Sequence, residues 1–347
     1  MAPASFDSTD ASLDTVAFDS LGLKVPSLID VLELLSQHAH DVDRSTTLPP
    51  ENLRALATAG LYGAGAANEE GGLDLDLAEM SALVELLASA CLTTTFVWLQ
   101  HFRLLHSAAS PLAPDFLRTR LPAIVRGDIK GGVSFTALLP GPPRLTAHET
   151  ASGWVLDGDS PWVSGWGIVD ELVVMARVAD EVASFVLEAR DHRGMDVTPL
   201  RLSAMNASAT VTLTFDGTIV PRERYVGSAP YDAGPERPEG LRVNGSLALG
   251  VARRCADLVG PSILDEELRH ARETLDRADV EHIGDARARA AQLAVRAAHA
   301  LAVSRGSRSA LYGDVAERST REASLLLVFG SRPMIKRALL DRLLGPS

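Results

Sequence analysis

The hydrophobic period of this chain changes twice along its 347 residues, and that order limits its fold more than any single residue. From Pro26 to about Arg126 the apolar residues recur at helical spacing. Leu28, Val31, Leu32, Leu34 and Leu35 mark a first helix, with Ser27 placed to cap it. Pro50 opens a second, with Leu53, Leu56 and Ala57 on one face and Gly60 at its end. Asp76 stands where it would cap a third over Leu77 to Cys91, apolar at Leu77, Met80, Leu83, Val84 and Leu87. Apolar stretches from Thr94 to about Ser107 and from Ala113 to Arg126 continue the pattern. At Gly131 the period becomes two. Val133, Phe135 and Ala137 alternate, as do Trp154, Leu156 and Gly158, and later Thr210 to Phe215. Continuous apolar runs at Leu172 to Ala176 and Ala183 to Leu187 lie between them, separated by Gly, Pro and Asp turns, so this segment reads as a small antiparallel β-domain. Residues 227–240 are too rich in Gly and Pro for regular structure. Beyond them the helical period returns, over Leu241 to Leu275, Val280 to Arg305, Asp314 to Leu327 and Pro333 to Leu344.

Composition narrows the classes of function. The chain is 46% hydrophobic and 22% charged, an ordinary globular balance long enough for two or three packed units. Its net charge of −12 lacks the basic footprint of a nucleic-acid binder. Two cysteines, Cys91 and Cys255, both in apolar helical contexts, form no disulfide framework. No apolar run approaches the roughly 20 residues of a membrane span. The N-terminus shows no basic region followed by an apolar core, so the expectation is a cytoplasmic protein with no membrane partner. Residues 1–24, rich in Ser, Asp and Ala, read as a flexible acidic tail.

Most familiar chemical motifs fail. There is no Walker-type phosphate loop and no Gly-x-Ser-x-Gly elbow. Gly63-Ala64-Gly65 follows no strand and lacks a third glycine, so it reads as a loop between helices. His101 and His106 are five apart, on different helix faces, and no metal site is expected. Arg287, Arg289, Arg296, Arg305 and Arg308 read as a solvated helix face, the other reading being contact with an anionic cofactor or a partner subunit. Two short runs in the strand-rich segment remain: Ser134-Phe135-Thr136 and Trp162-Val163-Ser164. A flavin ring takes such chemistry, a large aromatic face with hydroxyl and backbone donors at its edge. Trp and Val are also ordinary strand residues, and with Trp154 and Trp166 nearby a simple aromatic core is the more direct account of these runs taken alone.

The order of several pieces distinguishes the two. Leu48-Pro49-Pro50-Glu51, Ala59-Gly60-Leu61-Tyr62-Gly63 and Glu70-Gly71-Gly72-Leu73 are followed by Gly127-Asp128-Ile129, Trp154-Val155-Leu156-Asp157-Gly158, Phe215-Asp216, Val220-Pro221 and Tyr225-Val226-Gly227. In this order and spacing, from about Leu48 to Gly227, the chain resembles the acyl-CoA dehydrogenase family of flavoenzymes, as a short, atypical member. The resemblance implies an α+β fold: a helical domain over residues 25–130, an antiparallel β-domain over 131–227, a linker over 228–240 and a C-terminal helical bundle over 241–347. It implies FAD as cofactor, an acyl thioester or other small molecule as substrate, and α,β-desaturation as reaction. Phe135 and Thr136 would meet the flavin pyrimidine edge, Trp162 would cover the ring, and Ser164, beyond Val163, would donate near N5. Each such bond contributes about 0.5–1.5 kcal/mol net, so affinity must come from many contacts. The family's helical domains pack as oligomers, and some members pair unlike chains. A homo-oligomer, or a heteromer with a second dehydrogenase-like chain, is therefore implied.

The departures are specific. Where the family follows its Thr with Glu-Pro and then Gly-Ser-Asp, this chain has Thr136-Ala137-Leu138-Leu139-Pro140-Gly141-Pro142-Pro143. The arginine and paired-glycine motifs that hold the pyrophosphate and adenosine have no match here. Most members carry their catalytic Glu before a Gly-Thr near the C-terminus. Here Phe329 precedes Gly330-Ser331, and a phenyl ring cannot take a proton. A branch of the family places the base before an Arg on the first C-terminal helix. That position is Leu241, before Arg242, and the nearest carboxylate is Glu239, the candidate base. The alternatives are a base-less subunit of a heteromer, a flavin monooxygenase of the same fold, or a scaffold that has lost its cofactor.

Overall fold

Residues 22–231, 238–330 and 332–345 are described by the computed structural model. All but the last three residues of the expected tail, 1–24, lie outside the described residues. The first helical layer comprises Leu28–Arg44 (α1), Pro50–Thr58 (α2), Leu77–Ala90 (α3), Leu92–Ala109 (α4), Asp115–Arg118 (α5) and Leu121–Arg126 (α6). Asp76 caps α3 as expected. It accepts from the Glu79 N–H at 2.8 Å, and Glu79 returns a bond to the Asp76 N–H at 3.0 Å. Ser27 precedes α1 in a left-handed conformation, φ 53°, and makes no side-chain cap. The helix expected from Ala113 to Arg126 is two short ones, because Pro122 has no N–H to extend the first into the second.

Eight strands form one sheet: Gly131–Ser134 (β1), Leu145–Thr150 (β2), Gly153–Val163 (β3), Glu171–Val178 (β4), Glu181–Glu188 (β5), Met195–Pro199 (β6), Val211–Val220 (β7) and Tyr225–Pro230 (β8). Their order is β6-β7-β3-β2-β4-β5-β8, with β1 beside β4. Five of seven pairings are antiparallel. The two parallel ones, β1 with β4 and β2 with β4, refine the expectation of a purely antiparallel domain. The continuous apolar runs of β4 and β5 are buried along nearly their whole length, as strands covered on both faces must be. β8 continues to Pro230 and the next helix begins at Pro238, so the expected linker over 228–240 is shorter, with 232–237 outside the described residues.

The C-terminal layer comprises Pro238–Val259 (α7), Ile263–Arg277 (α8), Ile283–Arg305 (α9), Val315–Val328 (α10) and Pro333–Leu344 (α11). One long helix was expected from Leu241 to Leu275. Gly260, at φ 89°, and Pro261 break it into α7 and α8. Gly250 lets α7 lie directly on α3, since a Cβ there would stand 2.5 Å from the Glu85 carbonyl oxygen. Buried ion pairs join the helical layers. Arg254 of α7 binds Glu322 and Ser319 of α10 and reaches the Ser89 carbonyl of α3. Arg272 of α8 forks onto Glu85 of α3 at 2.6 and 3.0 Å, and Arg321 of α10 reaches Asp43 of α1 at 2.6 Å. Arg287 corrects the solvated-face reading: only 3% exposed inside α9, it is held below the usual guanidinium range, at about 10, by burial. Arg289 and Arg296 of the same helix do pair at the surface, with Asp285 and Glu267.

His101 connects the first layer to the sheet. The Gly131 N–H at the start of β1 donates to its Nδ1 at 3.0 Å, and Tyr62 packs edge-on at 4.8 Å. A Cβ at Gly131 would stand 2.5 Å from Leu104 Cβ, so strand and helix are in close contact here. His101 is therefore a neutral, structural histidine. Its pKa is pushed down to about 3, chiefly by burial.

Candidate functional site

β3 ends in an irregularity. Ser160 pairs with Leu213 and Val163 with Val211, so three steps on β3 match two on β7. The extra residue makes a bulge, which twists the strand and re-aims a side chain. Trp162 lies within it at φ 66°, a conformation that costs a bulky residue on the order of 1–2 kcal/mol. Its indole is 57% exposed, while Val163 is fully buried and Ser164 is 3% exposed. The chain then turns at Gly165, φ 92°, whose N–H donates to the Ser208 carbonyl at 2.8 Å.

The facing wall is the segment from Leu202 to Thr210. Asn206 clamps it: its side-chain oxygen accepts from the Leu202 N–H and its amide donates to the Leu202 carbonyl, both at 2.9 Å. Met205 and Ala209 are also left-handed, at φ 63° and 47°. Three of the six non-glycine residues with positive φ among the described residues, Trp162, Met205 and Ala209, therefore gather here. Such strain persists only where surrounding structure over-determines it, and it clusters at functional sites. Between the walls runs a row of hydroxyls. Ser164 Oγ lies 2.6 Å from Thr210 Oγ1, which lies 2.7 Å from Ser208 Oγ.

These residues line a small cavity closed by Phe96 of α4, Leu202, Met205, Leu325 of α10 and Phe329. It joins all three parts of the fold. Among the described residues its lining holds no charged side chain, and its free space is only about 10 Å³. That is about one water, against the roughly 300–1,000 Å³ of typical ligand pockets. Phe329 is one of its two phenyl walls. Its ring meets Phe96 edge-on, with centroids 4.5 Å apart and planes at 87°. A wider cleft of about 360 Å³ lies between β4 and the first layer, lined by Arg120, Asp170, Glu171, Glu188 and Arg190. Its charges are engaged with one another: Arg120 and Arg224 bind Glu171, and Arg190 binds Glu188.

The structure thus brings Trp162 and Ser164 together and leaves the other expected contacts elsewhere. Thr136 is 5% exposed and its hydroxyl pairs with Ser160 at 2.7 Å; Ser160 in turn meets Ser134 at 2.6 Å. Phe135 is half-buried before a short helical turn, and Val163 belongs to the core. None of these three lines the cavity. Glu239 lies exposed in the first turn of α7 and is not in the lining either. Sequence reasoning missed Phe96, Leu202, Met205, Ser208, Thr210 and Leu325 as wall residues. The only local sign was the small, polar run Ser203-Ala204-Met205-Asn206-Ala207-Ser208-Ala209-Thr210 just before β7, which reads as loop.

A comparison with known proteins bears on the fold. Residues 31–127 match the family described as the acyl-CoA dehydrogenase N-terminal domain. Benzylmalonyl-CoA dehydrogenase of Aromatoleum aromaticum is 26% identical over 239 residues, 64% of this chain and 62% of that protein. The chain spans between about half and three-fifths of the length of the curated relatives it matches. Among solved structures, glutaryl-coenzyme A dehydrogenase in complex with glutaryl-CoA superposes with a TM-score of 0.75 at 18% identity, covering 95% of this chain and 97% of that one. The FAD complex of PigA superposes with a TM-score of 0.72 at 16% identity, covering 95% and 99%. Helical domain, sheet and helical bundle follow one another here as in those structures.

Proposed function

We propose, for a chain whose N-terminal domain and overall fold are those of the acyl-CoA dehydrogenases, that it is an FAD-dependent oxidoreductase acting on a small molecule. One observation carries this reading: a strained aromatic, Trp162, a row of three hydroxyls and a second strained residue, Met205, converge on one cavity with no charged residue among its described lining. The donor set fits a flavin ring, with Trp162 to lie against its face and Ser164, held by Thr210, to donate at its edge. When bound, a flavin supplies a hydride acceptor or, once reduced, a source of electrons for oxygen. The chain's own residues bind and orient the ring and exclude water from it. The adenosine half would be held outside this cavity.

α,β-Desaturation of an acyl thioester is the first form of this reading, since the relative named above carries that kind of name. It needs a base for the α-proton, a task usually done by a side chain within hydrogen-bond reach. Among the described residues the cavity lining offers no carboxylate, and Glu239 is exposed elsewhere. That observation favours the second form, oxygen-dependent oxidation of the substrate by reduced flavin, in which no carboxylate base is required. A heteromer, in which an unlike dehydrogenase-like chain completes the site, would equally account for the missing base; coexpression with such a chain separates it from a homo-oligomer. The visible absorbance spectrum of the purified protein tests the whole reading. A flavin spectrum, lost on Trp162→Ala or Ser164→Ala, supports it, and a colourless protein that takes up no added FAD overturns it. With flavin present, bleaching by an acyl thioester without oxygen selects desaturation. Reoxidation by oxygen coupled to product formation selects the other.

A further inference from the structure

We propose that the side chain of Phe329 is a movable wall, and that a planar ring enters the cavity only when this side chain turns out. The inference rests on the flavin reading above and concerns how the same site is opened. The remaining walls are fixed. Trp162 lies in the β3 bulge, Ser164 follows the strand and is bonded to Thr210, and Met205, Ser208 and Thr210 belong to the segment clamped by Asn206. Phe96 is 5% exposed within α4. Phe329 differs from all of them. It caps α10 in an extended conformation, φ −78° and ψ 129°, with its N–H on the Leu325 carbonyl at 2.9 Å, so the ring is not held by a following helical turn. It is only partly buried, and Phe96 is its one ring partner among the described residues. Val328 before it is 69% exposed. A Cβ on Gly330 after it would meet no described residue beyond its chain neighbours within 4 Å, so the backbone next to Phe329 is not packed in on that side.

The same geometry makes Phe329 a selector. In the closed state its ring takes the space that a flat ligand would occupy between Trp162, Phe96 and the hydroxyl row. The walls carry aromatic, aliphatic and hydroxyl groups and no charge, so the group admitted is flat and neutral, such as the ring portion of a flavin. A ligand must replace the Phe329–Phe96 contact with its own stacking before it gains affinity.

The test titrates the purified full-length chain with FAD, following quenching of flavin fluorescence, for wild type and for Phe329→Ala, Phe329→Leu and Phe329→Trp. Removing the wall raises FAD affinity in Phe329→Ala by about tenfold, the factor that 1.4 kcal/mol supplies. Phe329→Leu falls between, which keeps the test readable if the smaller variant folds poorly, and Phe329→Trp lowers affinity. Equal affinity in all four proteins overturns the movable wall and leaves the flavin reading standing. No binding by any of them overturns both.

Discussion

Two trios of hydroxyls in this molecule look alike and do different work. Ser134, Ser160 and Thr136 bond to one another at 2.6 and 2.7 Å, and so do Ser164, Thr210 and Ser208. All six residues are at most 5% exposed. The first trio joins β1, the turn after it and β3, lines neither of the two cavities described above, and has no left-handed member. The second forms one wall of a cavity, and left-handed residues lie on both sides of it. Polarity and burial therefore fail to separate a structural cluster from a candidate site. Backbone strain and empty space separate them. The sealed trio satisfies groups that the sheet would otherwise strand, as buried hydroxyls require. The second trio keeps its place although its backbone neighbours are costly, which is the expected signature of a ligand wall.

The contrast can be broken at its sealed end first, where effects are largest. His101 is also a sealed polar group, and its folded pKa of about 3 lies below the ordinary value of 6.5. The folded state thus prefers the neutral ring. Its contribution is fully present above pH 6.5 and is lost as pH falls toward 3, with a slope approaching about 1.4 kcal/mol per unit. Urea unfolding across this window measures it, and His101→Gln, which keeps an acceptor for the Gly131 N–H but cannot titrate, flattens it. A wild-type midpoint independent of pH in this window would show that His101 is not held neutral by the fold.

Ser160→Ala comes next. It takes the shared partner from Ser134 and Thr136 and costs about 1–3 kcal/mol of stability, with FAD retention unchanged. Thr210→Val, equally buried, takes the shared partner from Ser164 and Ser208 and costs a similar amount, about 1–3 kcal/mol, but here flavin retention falls as well. If both variants behaved alike in both assays, the distinction between the trios would collapse. Trp162→Gly sharpens it. Glycine adopts φ 66° freely, and the indole is mostly exposed, so the variant gains about 1 kcal/mol in stability by chemical denaturation while losing flavin. Such a trade of stability against binding is expected where strain serves a site. A Trp162→Gly protein that is less stable and still yellow would refute it.

How much of this was legible in the chain divides along the same line. The helix–strand–helix order, the Asp76 cap and the helix from Pro333 to Leu344 follow from local periodicity and terminus chemistry, which sequence carries directly. Breaks at Pro122 and at Gly260-Pro261 were equally local and could have been read from those residues. The wall from Leu202 to Thr210 could not, because its identity depends on a bulge in β3 and on Phe96 and Phe329 arriving from distant helices. Thr136 and Ser164 look equivalent in sequence, each a hydroxyl directly after an apolar residue, Phe135 and Val163. Only the pairing of Thr136 with Ser160 shows that it faces the sheet. Arg287 went astray for the same reason: an arginine on an Ala-rich helix looks solvated until the neighbouring helices are placed.

The smallest expected effect is also the one that decides the chemistry. Glu239 was the nearest carboxylate to a position where a branch of the family keeps its base, and desaturation depends on such a group. In the structure it stands exposed in the first turn of α7, outside the cavity lining, where its charge favours the positive end of the helix. Glu239→Gln removes that charge and nothing else, so turnover should stay within about twofold of wild type, whereas loss of a working general base costs about 10²–10⁴-fold. The measurement is kcat with substrate saturating, alongside flavin content, so that a loss of cofactor is not mistaken for a loss of base. A drop of a hundredfold or more at unchanged flavin content would mean that α7 brings its N-terminal turn to the substrate during catalysis, and desaturation would regain its missing base. Unchanged turnover leaves, among the described residues, a cavity lined by hydroxyl, aromatic and aliphatic side chains, and removes Glu239 as the base.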